Sequence, residues 1–160
     1  MERARRVAEE YRPYAVLYPA IAEAARRTGA SAIGLVDVGG AAGLNLIVDR
    51  VAIAYSNGQS AGDTASPVQV PATLVRTRRI PTAAIPPVNV RVVVGPDTLD
   101  VTDPADAAWL RTCLGTDPTR LAGLDAQLRL TAAVRPVLLR GDPVELLAHA
   151  LARVPADCCR

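Results

Sequence analysis

The chain has 160 residues, of which half are hydrophobic and 21% charged, with a formal net charge of +2. That length suits one domain able to bury about two-thirds of its unfolded surface, and the composition excludes a disordered chain. No apolar run approaches the ~18 residues of a membrane span and no signal-peptide pattern follows Met1, so the cytoplasm is the expected compartment.

Residues from about Arg3 to Arg27 read as helix, divided by Pro13 and Pro19, with Leu17, Ile21 and Ala24 on the face suited to packing on a sheet. Gly29 ends it. A short apolar run through Ile33, Leu35, Val36 and Val38 reads as a buried strand and runs into a glycine-rich turn. Leu44 to Asp49 makes a short helix, and Val51 to Tyr55 a strand. Ser56 to Ser66 reads as loop, and Pro71 demotes Val68 to Val75 to an edge or hairpin strand. Three prolines make Ile80 to Pro87 an extended connection. Val88 to Val94 and Val137 to Leu139 are the remaining strands, ending at Gly95-Pro96-Asp97 and Gly141-Asp142.

Three helices open with the same pair. Asp103-Pro104, Asp117-Pro118 and Asp142-Pro143 each put a capping carboxylate before a proline that has no N–H to waste. These helices run to about Leu114, Val134 and Arg153. Alternating strands and helices predict a single α/β domain over 1–160, with a mainly parallel sheet flanked by helices and a hairpin or loop insertion over 51–87.

The chemistry concentrates in Leu35 to Leu46, LVDVGGAAGLNL. Strand, glycine turn and helix in succession make a cofactor or phosphate loop, because glycine lets a ligand approach the backbone and a helix start offers N–H groups. A G-x-x-x-x-G-K-[ST] loop is excluded, since every positive side chain is arginine. The dinucleotide pattern G-x-G-x-x-G, in the register Val38, Gly40, Gly43, meets two of three glycines. An acid followed by Gly-x-small-x-Gly fits better: Asp37, Gly39, Ala41, Gly43. An acid between Val36 and Val38 is costly to bury without a partner, which also marks Asp37. Asn45 either contacts a ligand or caps the short helix.

Other residues carry less. Arg76, Arg78 and Arg79 lack interleaved aromatics and read as a solvated face rather than a nucleic-acid surface. His149 lies in a helical pattern with no visible partner, and Cys113, Cys158 and Cys159 show no metal-ligand or disulfide spacing, so no metal site is expected.

The Asp37-to-Gly43 pattern resembles the first motif of S-adenosylmethionine-dependent methyltransferases. The order of signals is also similar to class I members: a glycine loop, a strand ending near Asp97, then a strand ending at Gly141-Asp142. The resemblance implies a partial Rossmann-like fold, with glycines under the cofactor, Asp37 toward its amino end, an acid on the ribose and Asp142 on the adenine amino group. Asp97 and Asp100 compete for the ribose position. Carboxylates suit both roles, since ribose and adenine present donors.

Several segments also resemble the bacterial domain-of-unknown-function family 2332. They are VGGAAGLNL (Val38 to Leu46), Asp49-Arg50, Gly62-Asp63 with Ser66-Pro67-Val68, LDVTDPADAAWLR (Leu99 to Arg111) and PVLLRGD (Pro136 to Asp142). The chain departs from the family at Leu114-Gly115-Thr116-Asp117, where a Trp-Pro-Asp-like turn is usual. Family members also continue with helices before this start and strands after this end. The expectation is therefore an incomplete methyltransferase-like domain whose first strand forms an exposed sheet edge. Weak cofactor binding or a homodimer through that edge would follow. The cofactor-site set is Asp37, Gly39, Ala41, Gly43, Asn45, Asp97 and Asp142, with no general base or methyl acceptor assigned. The alternatives are a non-catalytic interaction or remnant protein, and an NAD-dependent oxidoreductase fragment.

Overall fold

The aspartate–proline pairs do in the structure what their chemistry dictates. In a computed structural model describing residues 13–75, 79–155 and 158, each aspartate is extended and caps the helix that follows. Asp103 Oδ1 accepts from the amides of Ala105 at 2.7 Å and Asp106 at 3.3 Å, and Asp117 Oδ1 from those of Thr119 at 2.9 Å and Arg120 at 3.0 Å. Asp142 Oδ1 does the same for Val144 at 2.8 Å and Glu145 at 3.3 Å. Each cap satisfies N–H groups that a helix start leaves without a partner.

In chain order the elements are α1 (Tyr14–Thr28), β1 (Ile33–Val38), a 3-10 segment (Leu44–Arg50), β2 (Ala52–Tyr55), β3 (Ser60–Gly62), β4 (Gln69–Ala72), β5 (Val88–Gly95), α2 (Pro104–Leu114), α3 (Pro118–Val134), β6 (Val137–Arg140) and α4 (Pro143–Leu151). Their contacts gather into two compact units.

The first unit comprises Leu35–Ile47 and Arg91–Arg153. Its sheet has the order β1-β5-β6, with β5 in the centre. β5 and β6 are parallel, Val92 opposite Val137 and Gly95 opposite Arg140. On the other side, the Gly39 amide donates to the Val94 carbonyl at 2.7 Å, just past the end of β1. The fold class is thus α/β, with a three-stranded parallel sheet flanked by helices. Val92, Val93 and Val94 are buried completely, as expected of a central parallel strand. A second layer of core forms where Leu110 and Leu114 of α2 meet Leu124 and Leu128 of α3, joined by Ala42 and Leu44 from the glycine segment.

The second unit comprises Tyr11–Gly34, Val48–Val90 and the chain from Val154 onward, as far as these are described. Its sheet has the order β3-β2-β4. β2 and β3 form an antiparallel hairpin, Ile53 opposite Ala61, while β4 runs parallel to β2, Ile53 opposite Val70. The expected insertion over 51–87 therefore contains a small mixed sheet. Two details differ from expectation. Residues 56–66, expected as loop, hold β3, because Asn57 and Gly58 turn the chain back and Tyr55 N–H reaches the Gln59 carbonyl at 2.9 Å. The strand expected over Val68 to Val75 contracts to four residues and lies at the sheet edge, where Pro71 leaves no ladder donor unmet.

α1 also departs from expectation. It buries Tyr14, Tyr18, Ala22 and Ala25 rather than Leu17, Ile21 and Ala24, and Ala24 is exposed. The tyrosines decide the face, because each has a bulky ring to bury. In this unit the Tyr55 hydroxyl donates to the Ala15 carbonyl at 2.9 Å, and the Tyr18 hydroxyl accepts from the Ile85 amide at 3.5 Å. The expected helix before Pro13, the arginines at 76 and 78 and Cys159 fall outside the described residues. Among the described residues no helix is long and apolar enough to cross a membrane.

Leu110 is fully buried between the two helices. Leu110→Ala should lower stability by about 2–5 kcal/mol, the usual range for a buried leucine truncated to a cavity. Urea denaturation followed by circular dichroism measures it, and a loss below about 1 kcal/mol would contradict the packing described.

Candidate functional site

The three parallel strands β1, β5 and β6 end at one edge of their sheet, and the backbone stitches the segments that follow them together. The Gly39 amide is held by Val94, and the Gly141 amide donates to the Gly95 carbonyl at 3.1 Å. The glycine segment crosses directly over the end of β5. A Cβ built on Gly95 would lie 3.4 Å from the Gly40 carbonyl oxygen and 3.8 Å from the Gly39 Cα. Farther along, the Ala41 carbonyl accepts from the Leu99 amide at 2.7 Å. The segment ends on Leu46, whose carbonyl accepts from Nη1 of Arg91, a buried arginine in β5.

The three glycines meet three different demands. Gly39 is left-handed at φ +81° with nothing within 4 Å of the position a side chain would take, so bare peptide there faces open space. Gly40 lies on the carboxylate of Asp37, and a Cβ at Gly40 would collide with Oδ2 and approach Oδ1 to 2.7 Å. Gly43, left-handed at φ +66°, is closed: a Cβ would lie 2.6 Å from Val93 Cγ2 and 3.5 Å from Pro136 Cγ. Only Gly39 offers a ligand an approach to the backbone, while Gly40 and Gly43 are glycine because neighbouring atoms occupy the room.

Asp37 is the electrostatic centre of the loop. Its carboxyl is pushed above its ordinary value by burial, an effect partly offset by a hydrogen bond from the Asn45 side chain. Asn45 thus serves the carboxylate under the loop. Ala41 is half-buried and Ala42 buried, where Ala42 joins the α2–α3 core.

The two remaining acids differ. Asp97 is exposed in the turn after β5. Asp142 is exposed and caps α4 with Oδ1, leaving Oδ2 outside those two bonds. Asp100, the competitor of Asp97, is committed to its own turn. Its Oδ1 accepts from the Thr102 hydroxyl at 2.6 Å and the Thr102 amide at 2.8 Å, and the hydroxyl holds its carboxyl below the usual range. Thr98 stands between them, buried, with a hydroxyl that has no hydrogen-bond partner among the described residues. Its carbonyl accepts from Arg140 Nη2 at 2.8 Å. Among the described residues no group of three or more histidine, cysteine or acidic side chains could hold a metal ion.

A bacterial family described as an uncharacterized protein conserved in bacteria (DUF2332) matches residues 2–160. The chain belongs to it. No curated protein and no solved structure matches the chain.

Three residues that shape this DUF2332 site were not singled out for it by sequence reasoning. Gly40 entered only through the dinucleotide register, although an acid three residues before a glycine was a usable signal. Arg91 is the lone charge in the apolar strand VNVRVVV, which marks a buried polar contact. Thr98 has no sequence signal at all.

The raised value of Asp37 makes the stability of this DUF2332 protein depend on pH. The folded state holds its proton to higher pH than the unfolded chain, so stability falls as pH rises from about 4, the ordinary aspartate value, through the raised value, and then levels off. In Asp37→Asn that descending component should vanish. Urea midpoints collected from pH 4 to 8 check it, and superimposable profiles for the two proteins would refute the assignment.

Proposed function

We propose that this chain is a cytoplasmic S-adenosylmethionine-binding, methyltransferase-like domain of Rossmann-like type, with the methyl acceptor unassigned. One observation carries the reading. The left-handed, unobstructed Gly39 sits at an edge where the segments after three parallel strands are hydrogen-bonded together. Ligands of open α/β sheets bind outside the carboxyl ends of the strands, where loops of this kind gather.

The residues present fit the cofactor in three respects. Gly39 leaves room for a ligand against bare peptide. Asp97 follows the strand over which the glycine segment passes, and the resemblance puts it or Asp100 on the ribose. Asp142 Oδ2 remains to accept from an adenine amino group while Oδ1 caps α4. Asp37, Asn45, Gly40 and Gly43 act one step back by fixing the course of the loop, and Ala41 anchors it through the Leu99 amide. When bound, the cofactor supplies a methyl group on a sulfonium, a good leaving group. The chain's part is then to hold the acceptor in line, which can supply much of the rate without a general base.

A non-catalytic reading has its own support. Gly43 and Asp142 already have structural duties, so neither needs a ligand to explain it. β1 is the outer strand of its sheet and its last residue, Val38, is about half exposed at 51%. That edge supports the further proposal that the chain self-associates through β1. Light scattering after size exclusion should give a dimer mass, reverting to a monomer in Val36→Pro, which removes a ladder donor; a monomer at every concentration would exclude it.

The cofactor reading is tested by thermal shift. S-adenosylmethionine or S-adenosylhomocysteine at about a hundred times its Kd should add about 2.7 kcal/mol, a rise of several degrees, whereas NAD should add nothing. Gly39→Val should abolish the rise while the far-ultraviolet spectrum stays native, its own strain costing about 1–2 kcal/mol. No rise with either sulfur nucleoside favours the non-catalytic reading.

A further inference from the structure

Within the first unit, a concavity opens beside Ala42 of the glycine segment. It has a volume of about 440 Å³ and is bounded by the turn after β5, the end of α3 and the start of β6. That size falls in the range of small-molecule sites, roughly 300–1,000 Å³. Most of its wall is apolar: Ala42, Leu99, Val101, Ala132, Pro136 and Leu138.

The polar members of the wall are unequal. Asp100 and Thr102 satisfy each other, the hydroxyl donating to the carboxylate. Thr131 is fully buried and its hydroxyl has no hydrogen-bond partner among the described residues. A buried polar atom in that condition calls for a partner that the described residues do not provide. Arg135 is exposed and forms none of the ion pairs seen among the described residues. It also occupies the left-handed position that ends α3, at φ 48°, the one non-glycine residue with positive φ among those described. Glycine is the usual residue there, so the cation stands where no side chain is needed to end the helix.

From this combination we propose that the pocket binds a small, mainly apolar carboxylate. The apolar body lies against Leu99, Val101 and Leu138, the carboxylate pairs with the Arg135 guanidinium, and a polar atom of the ligand meets the Thr131 hydroxyl. Arginine is suited to the role because its planar fork can hold both carboxylate oxygens. Asp100, on the same wall, disfavours a second negative charge and limits the ligand to one. No covalent step is involved, and the site is independent of the cofactor reading.

The test uses octanoate, octylammonium and 1-octanol as probes, by calorimetry and thermal shift on the whole chain. Octanoate should bind in the millimolar range or tighter and raise the melting temperature, and octylammonium should not. Arg135→Gly keeps the helix end in its preferred conformation and should weaken octanoate about tenfold or more, leaving it near the affinity of octanol. Thr131→Val should raise the melting temperature of the free protein while weakening octanoate several-fold, a pairing that a purely structural threonine would not show. Ala132→Trp, which fills the pocket, should abolish binding. Equal binding of octylammonium, full affinity in Arg135→Gly, or octanoate binding that survives Ala132→Trp would each overturn the proposal.

Discussion

The glycine segment of this protein is held along its length by one strand. β5 supplies the Val94 carbonyl to Gly39, the Val93 side chain under Gly43, the bare Gly95 under the Gly39–Gly40 peptide and the Arg91 guanidinium to Leu46. The residues after β5 add the Leu99 amide to Ala41. A loop fixed at five successive points has lost its conformational freedom during folding, so a ligand binding there would not have to supply the ordering entropy again. Preorganisation of this kind is a property of packing, and it holds whichever molecule the loop meets.

Asp37 shows how that course is maintained from below. A carboxylate in a partly buried strand is costly unless its oxygens are met, and here Asn45 meets one while Gly40 leaves room for the group as a whole. The three residues form a single device: the acid needs the amide, and both need the missing side chain above them. The raised value of the carboxyl is the residue of that arrangement, since one hydrogen bond offsets burial only in part.

Much of the fold was legible in the chain. Apolar runs located β1, β2, β5 and β6, and the three Asp-Pro pairs located three helix starts to the residue, because cap chemistry acts within four residues and needs no tertiary context. What was not legible depended on distant partners. The buried face of α1 was set by the rings of Tyr14 and Tyr18, the latter with its hydroxyl on the Ile85 amide, and β4 runs parallel to β2 in a register that alternation does not encode. Thr131 and Arg135 were invisible as a pair for the same reason, since their common feature is a cavity whose other walls come from residues 42 and 99–102.

The same distinction governs the glycine pattern. Spacing alone treats Gly39 and Gly43 as equivalent, yet one faces open space and the other is filled by a valine. A Gly-x-small-x-Gly motif therefore records two physical demands, access at one position and packing at another, and only access concerns a ligand. Asp142 divides in a similar way within one side chain, with Oδ1 given to the helix and Oδ2 left over. Substitution at Gly43 or loss of the Asp142 cap would weaken any ligand by disturbing the fold, and so cannot separate binding from stability. Gly39 can, because nothing but the backbone itself resists a side chain there.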